Sequence, residues 1–191
     1  MKRNLFTITS IIILSQQLYA ADINNFSNTQ ITIELDFISS QVKPGDKPIT
    51  LNKSLLDKLL PEVKNPRLMT FADLADAEEQ SGFLEGGYTF VLRGDFNKDG
   101  IADIAFVGKY KNSESYEENS FVAIISIKGK KVVRDYFLKL NNPKICLISI
   151  PDYKPGTDAI GMVFNIFSEE CGYLFWNIKQ YEFKPCQSVF E

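Results

Sequence analysis

From Tyr88 to Phe183 the sequence is one strand-length run after another, rich in apolar residues and set off by turn formers. The runs are Tyr88 to Arg93, Ile101 to Val107, Phe121 to Ile127, Val132 to Leu138, Lys144 to Ile150, Thr157 to Phe167 and Tyr173 to Phe183. Turn formers separate them: Gly129, Asn141-Asn142-Pro143, Pro151, Pro155-Gly156 and Gly172. Such short connections make successive strands antiparallel neighbours. Lys109 to Ser120 is longer and polar, with Glu114, Glu117 and Glu118, and reads as a surface loop or a contact surface.

Before Gly82 the pattern changes. Gln30 to Phe37 alternates as a half-buried strand, and Pro44 to Pro48 marks a turn. Leu51, Leu55, Leu56, Leu59 and Leu60 then fall on one face of a short helix that Pro61 stops. A second helix is expected from about Leu68 to Gln80, with Thr70 as cap and Asp73 three residues on, ended by Gly82, Gly86 and Gly87. Its acids Asp73, Asp76, Glu78 and Glu79 read as a solvated face. The expected class is α+β: mainly antiparallel β-sheet with one or two short N-terminal helices.

The first twenty residues stand apart. Lys2 and Arg3 precede an apolar run from Leu5 to Leu14, and Leu18-Tyr19-Ala20 ends in a small residue suited to cleavage, so residues 1–20 read as a signal peptide. The run is too short for a permanent bilayer span. Residues 21–191 then form a single domain, with a strand and helices over 21–81 and antiparallel strands over 82–191. Cleavage removes two bases from 21, leaving 19 against 24 acids, a balance of −5. That surface does not suit nucleic acid. A periplasmic or secreted location follows, and no membrane span after cleavage.

The chain contains no histidine, which removes Cys-His and Ser-His-Asp catalysis and His-based metal sites. Its strongest chemistry lies between two of the expected strands. Asp95, Asn97 and Asp99 put side-chain oxygens at alternate positions, Gly100 permits a sharp turn, the Ile101 carbonyl follows, and Asp103 comes next. A calcium ion takes six to eight hard oxygens in this manner. An EF-hand has two flanking helices and a bidentate Glu at position twelve; here that position is Phe106 and the flanks are strands. The alternative is an Asx-rich turn without metal.

The segment GDFNKDGIADIAFVG, from Gly94 to Gly108, resembles the calcium-binding repeat of FG-GAP/VCBS proteins, the integrin-α-like propeller blades. The resemblance implies Ca2+ as cofactor, held in a strand-loop-strand frame by Asp95, Asn97, Asp99, Ile101 and Asp103. A degenerate second copy can be aligned 57 residues on (152 − 95), with Asp152-Tyr153 against Asp95-Phe96, dividing 88–140 from 141–186. Lys154 and Pro155 replace Asn97 and Asp99 there. Two units cannot close a propeller of four to eight blades, so the loop carries over and the whole fold does not.

Two further readings concern the last third. Phe164, Phe167, Tyr173, Phe175, Trp176, Tyr181 and Phe183 suit core packing more than a carbohydrate platform, because they share strands with Met162, Val163, Leu174 and Ile178. Of Cys146, Cys171 and Cys186, at most one intramolecular pair can form. If Tyr173 to Phe183 is one straight strand of roughly 35 Å at about 3.3 Å per residue, Cys171 and Cys186 lie at opposite ends. A Cys146–Cys171 disulfide is therefore expected, with Cys186 free.

The expected function is that of a non-enzymatic, exported calcium-binding protein acting by protein recognition. Its partner would be another envelope or secreted protein, for instance a peptidoglycan hydrolase that it inhibits. The alternatives are an adhesion or carbohydrate-binding module, and a carboxylate-based hydrolase using Asp73, Glu78 or Asp158, which needs two acids in one cleft.

Overall fold

The computed structural model describes residues 31–33, 49–74, 76–111, 118–129, 131–142, 144–154, 157–166 and 170–186. The expected signal peptide, the Pro44 to Pro48 turn, Glu114, Glu117, Pro155, Gly156 and Phe167 lie outside them. Strands dominate, with two short helices, as the strand-length runs require of an α+β chain that is mostly antiparallel sheet.

Strand β1 (Ile31–Ile33) pairs with β2 (Ile49–Leu51) in a small sheet. Leu51 closes β2 instead of opening a helix. Asn52 then caps α1 (Lys53–Leu59), its side chain accepting the Leu55 N–H at 3.0 Å. Strand β3 (Lys64–Leu68) was hidden by Pro66 and by Asn65, whose φ of 50° breaks the alternation. The expected Leu68 to Gln80 helix is two pieces. Thr70 and Asp73 do form their cap, with the Thr70 N–H donating to Asp73 at 2.8 Å. It closes only a 3-10 turn (Phe71–Asp73), and Asp76 starts the true helix α2 (Ala77–Glu85) by accepting from the Glu79 N–H. Gly82 lies inside α2, and Gly86 ends it.

The central sheet runs β4 (Val91–Gly94), β5 (Asp103–Lys111), β6 (Glu118–Lys128) and β7 (Lys131–Leu140), each antiparallel to the next. Along one edge of β5, β4 pairs with residues 103–106 and β3 with residues 108–111. Both β5 and β6 run on into the stretch expected as a loop, because their polar ends still pair, Lys111 with Glu118.

This sheet is apolar on both faces. Ile104, Phe106, Phe121, Ala123, Ile125 and Ile127 pack under Leu51, Leu56 of α1 and Leu60, which caps that helix. The alternate residues Ala105, Val107, Val122 and Ile124 face the second sheet. Each fully buried Phe, Leu or Ile contributes about 1.5–3 kcal/mol, so the middle layer holds two cores at once. Gly108 lets the layers close: a Cβ there would stand 2.2 Å from the Phe121 ring and 2.4 Å from the Arg67 carbonyl oxygen.

The second sheet is a meander of β8 (Cys146–Lys154), β9 (Thr157–Val163), β10 (Cys171–Asn177) and β11 (Gln180–Pro185). Strand β8 carries Pro151 within its span, where its pairing with β9 is irregular. Leu147 of β8, Ile160 and Met162 of β9, Leu174 of β10 and Tyr181 of β11 meet the central sheet, joined by Ile145, by Phe83 of α2 and by Phe90.

The expected single strand from Tyr173 to Phe183 is a hairpin. Asn177 pairs with Gln180 across a turn at Ile178 and Lys179. Folding back brings Cys171 and Cys186 to a Cα separation of 5.3 Å, and the disulfide joins these two; Cys146 is free and buried. The expected Cys146–Cys171 bond is thus wrong. Both residues do return to one level of the sheet, each opposite Val163, but β9 runs between them. Two strand spacings of about 4.7–4.9 Å exceed the reach of a disulfide, about 6.8 Å.

Candidate functional site

The connection between β4 and β5 winds tightly on two left-handed residues, Lys98 at φ 57° and Gly100 at φ 81°. Glycine takes that conformation without strain, and Gly100 stands where the spacing required one. The winding turns the loop's amides onto its own side-chain oxygens. Asp95 accepts from the N–H of Asp99 (3.1 Å) and of Gly100 (3.0 Å), Asn97 from that of Asp99 (3.0 Å), and Asp99 from that of Ile101 (2.8 Å). Lys98 reaches out to Asp158 of β9 at 2.8 Å.

The structure therefore brings Asp95, Asn97 and Asp99 together on one loop. Asp103 points elsewhere. It is fully buried, and its carboxylate accepts from the Phe96 N–H at 3.0 Å, the Ser126 hydroxyl at 2.8 Å and the Tyr181 hydroxyl at 3.2 Å. Burial pushes this carboxyl up to about 6, although the three donors favour its charged form. Burial and the neighbouring Asp103 also raise the Tyr181 phenol. As the side chains stand, no three carboxylate or thiol groups among the described residues are gathered as a metal site. The loop offers oxygens of the right kind, and a cation would draw them from their amides.

A fourth acid joins from β7. Ile124 and Ile125 of β6 pair with Tyr136 and Arg134, leaving Asp135 as an extra residue. Val132 and Phe137, five positions apart, consequently face the same core, which an unbroken strand forbids. The bulge aims Asp135 at Ser126, whose hydroxyl lies against the carboxylates of both Asp103 and Asp135. A hydroxyl has one proton to donate, so two charged carboxylates around it call for a further proton or cation. Lys128 stands 3.6 Å from Asp135. Burial raises the Asp135 carboxyl, against Lys128, and Asp99 adds to the rise.

Asp135, Asn97 and Asp99 border a half-open cavity of about 380 Å3, whose lining also includes Tyr136 and, from the β10–β11 hairpin, Trp176 and Gln180. Ser126, Asp135 and Tyr136 were not singled out from the sequence. The signal for them was present: Arg134-Asp135 interrupts the apolar alternation of β7, as a bulge does.

The remaining acids are placed apart from this cavity. Asp73 is gripped by the Arg67 guanidinium at 2.6 and 2.9 Å and lies 3.4 Å from Lys109. Burial alone would raise its carboxyl, but Arg67, the Thr70 N–H and Lys109 together hold it at about 2. Glu118 also bonds Arg67, which lowers its carboxyl. Glu79 is buried and paired with Lys144 at 2.7 Å, so the solvated-face reading fails for Asp73 and Glu79. The cavity takes in none of Asp73, Glu78 and Asp158.

Of the late aromatics, Phe175 and Tyr181 are buried, Phe164, Tyr173 and Trp176 are half-buried, with Trp176 lining the cavity, and Phe183 is exposed. None of the helices among the described residues is long and apolar enough to cross a membrane. Comparison with protein-family models, curated proteins and solved structures found no match to the chain.

Proposed function

We propose that this chain is a non-enzymatic calcium-binding protein that acts by recognition, with the ion between β4 and β5. One observation carries the reading: the loop's left-handed residues gather the oxygens of Asp95, Asn97 and Asp99 around its own backbone. Asp, Asn and carbonyl oxygens on an open loop suit the larger shell of calcium better than the strict octahedron of magnesium. Asp95, Asn97 and Asp99 would supply side-chain oxygens, together with the Ile101 carbonyl; Asp103, held by Phe96, Ser126 and Tyr181, would have to turn from these donors to take the remaining position of the spacing. The ion would be structural, fixing the turn that joins the two strands. The leader-like N-terminus favours a periplasmic or secreted setting, and an envelope protein such as a peptidoglycan hydrolase is the proposed partner.

Calorimetric titration with calcium and with magnesium tests the ion. The expected result is binding at millimolar calcium or below, weaker binding of magnesium, and loss of both in Asp95→Ala and Asp99→Ala. Absence of heat at millimolar calcium would remove the metal reading. For the partner, a pull-down from envelope extract with and without chelator should capture a hydrolase; if none is enriched over a bead control, that part of the proposal falls.

A further inference from the structure

Apart from Asn97 and Asp99, the lining of the cavity beside the loop is not used by the calcium reading. It measures about 380 Å3, within the roughly 300–1,000 Å3 of small-molecule sites. Three separate parts of the chain build it: the loop through Asn97 and Asp99, the β6–β7 hairpin through Lys128, Asp135 and Tyr136, and the β10–β11 hairpin through Trp176, Lys179 and Gln180. Its aromatic side is a row of three rings. Tyr181 is buried between the other two rings, 4.9 Å from Trp176 and 5.5 Å from Tyr136 by centroid.

The rim selects the kind of ligand. Two carboxylates, Asp99 and Asp135, face two ammonium groups, Lys128 and Lys179, and the amides of Asn97 and Gln180 can both donate and accept. A strongly anionic ligand meets the carboxylates and a strongly cationic one meets the lysines. A purely apolar ligand would strip water from charged groups and return no hydrogen bond. A ring bearing several hydroxyls satisfies all of them, because each hydroxyl donates and accepts, while its C–H face rests against an aromatic ring. We propose that this cavity is a binding site for a neutral carbohydrate, with Trp176 and Tyr136 as the apolar wall and Asp135, Lys179 and Gln180 as the hydrogen-bonding rim. The site goes beyond the calcium reading but shares Asn97 and Asp99 with it, while the rings, the β7 bulge and the β10–β11 hairpin supply the rest of the lining.

Trp176 is the chain's one tryptophan, so its emission reports the site directly. The purified protein is titrated with glucose, galactose, mannose, N-acetylglucosamine and its β-1,4-linked dimer and trimer, with glucuronic acid and glucosamine as charged controls. A saturable change in Trp176 emission with at least one neutral sugar is expected, weaker with both controls, and unchanged in kind when EDTA is present. Gln180→Ala and Asp135→Asn should each weaken binding about tenfold, roughly 1.4 kcal/mol, with circular dichroism as the check on folding. Gln180 is exposed, so its variant keeps the test open if Asp135→Asn does not fold. Three results would each overturn the site: no response to any neutral sugar at tens of millimolar, a charged control binding as well as the best neutral one, or a folded Gln180→Ala variant binding as wild type. Failure of calcium binding leaves these outcomes readable, because the titration is run in both conditions.

Discussion

The hydroxyl of Tyr181 donates to the carboxylate of Asp103 at 3.2 Å, tying residues 78 positions apart and joining the last strand of one sheet to the start of β5 in the other. Both groups are buried. Tyr181→Phe keeps the ring between Trp176 and Tyr136 and removes only this donor. Taking a bond from a buried carboxylate costs about 1–3 kcal/mol, and a melting curve should show that loss. A variant as stable as wild type would mean that Ser126 and the Phe96 N–H suffice for Asp103.

Acid should destabilise the protein through Asp73. Its folded carboxyl, at about 2, lies below the ordinary 3.8, so the stabilisation is present above pH 4 and is lost as pH falls toward 2. Roughly 2 kcal/mol is at stake by the usual conversion. Asp103 acts with the opposite sign in the metal-free protein. Its folded value of about 6 lies above the unfolded one, so stability falls as pH rises between about 4 and 6. Urea unfolding at stepped pH should show the first slope vanish in Asp73→Asn and the second in Asp103→Asn.

The disulfide closes a short loop, with Cys171 and Cys186 separated by 15 positions. By chain entropy a loop of this size is worth about 3 kcal/mol. Reduction, or Cys171→Ser with Cys186→Ser, should lower the melting temperature, and non-reducing peptide mapping should recover only the Cys171–Cys186 link. Cys146 should stay unmodified by a thiol reagent in the folded state, since burial pushes its thiol up to about 12 and the residue is only 2% exposed.

Gly108→Ala tests the close approach of β3 to β5. The added methyl meets the Arg67 carbonyl, which is backbone in a paired strand and cannot swing aside as a side-chain end would. Overpacking of this kind costs about 1–3 kcal/mol. Gly100→Ala acts through φ alone, since nothing stands within 4 Å of its Cβ position, and should cost less. Equal stability of wild type and Gly108→Ala in urea would show that the strand pair can widen.

The meander order was legible because apolar runs of strand length and turn formers follow one another over most of the strands, and Gly100 was legible because the loop needs a left-handed residue at one place. What the sequence concealed follows from three particulars. The β10–β11 turn is carried by Ile178, a β-branched residue at φ 58°, where glycine or asparagine is the usual signal. Strand β3 owes its place to pairing with β5, since its own residues do not alternate. Asp135 enters the site through a bulge, whose shift of face appears only once the partner strand is known. The first of these misled the cysteine pairing as well, because a missed reversal turns neighbours into opposite ends.

From β4 to β11 each strand pairs with the next in sequence, apart from the β7-to-β8 step, where the chain changes sheets. Contacts of that kind close short loops, which lowers the entropic barrier to folding and favours fast kinetics for a β-rich chain. The ties made last should be those that span the sheets, Asp103 with Tyr181 foremost. Stopped-flow measurements would then find Tyr181→Phe folding at the wild-type rate and unfolding faster, whereas substitutions in the β5–β6 pair slow folding itself. Until that tie forms, the inner face of the second meander stays open to water.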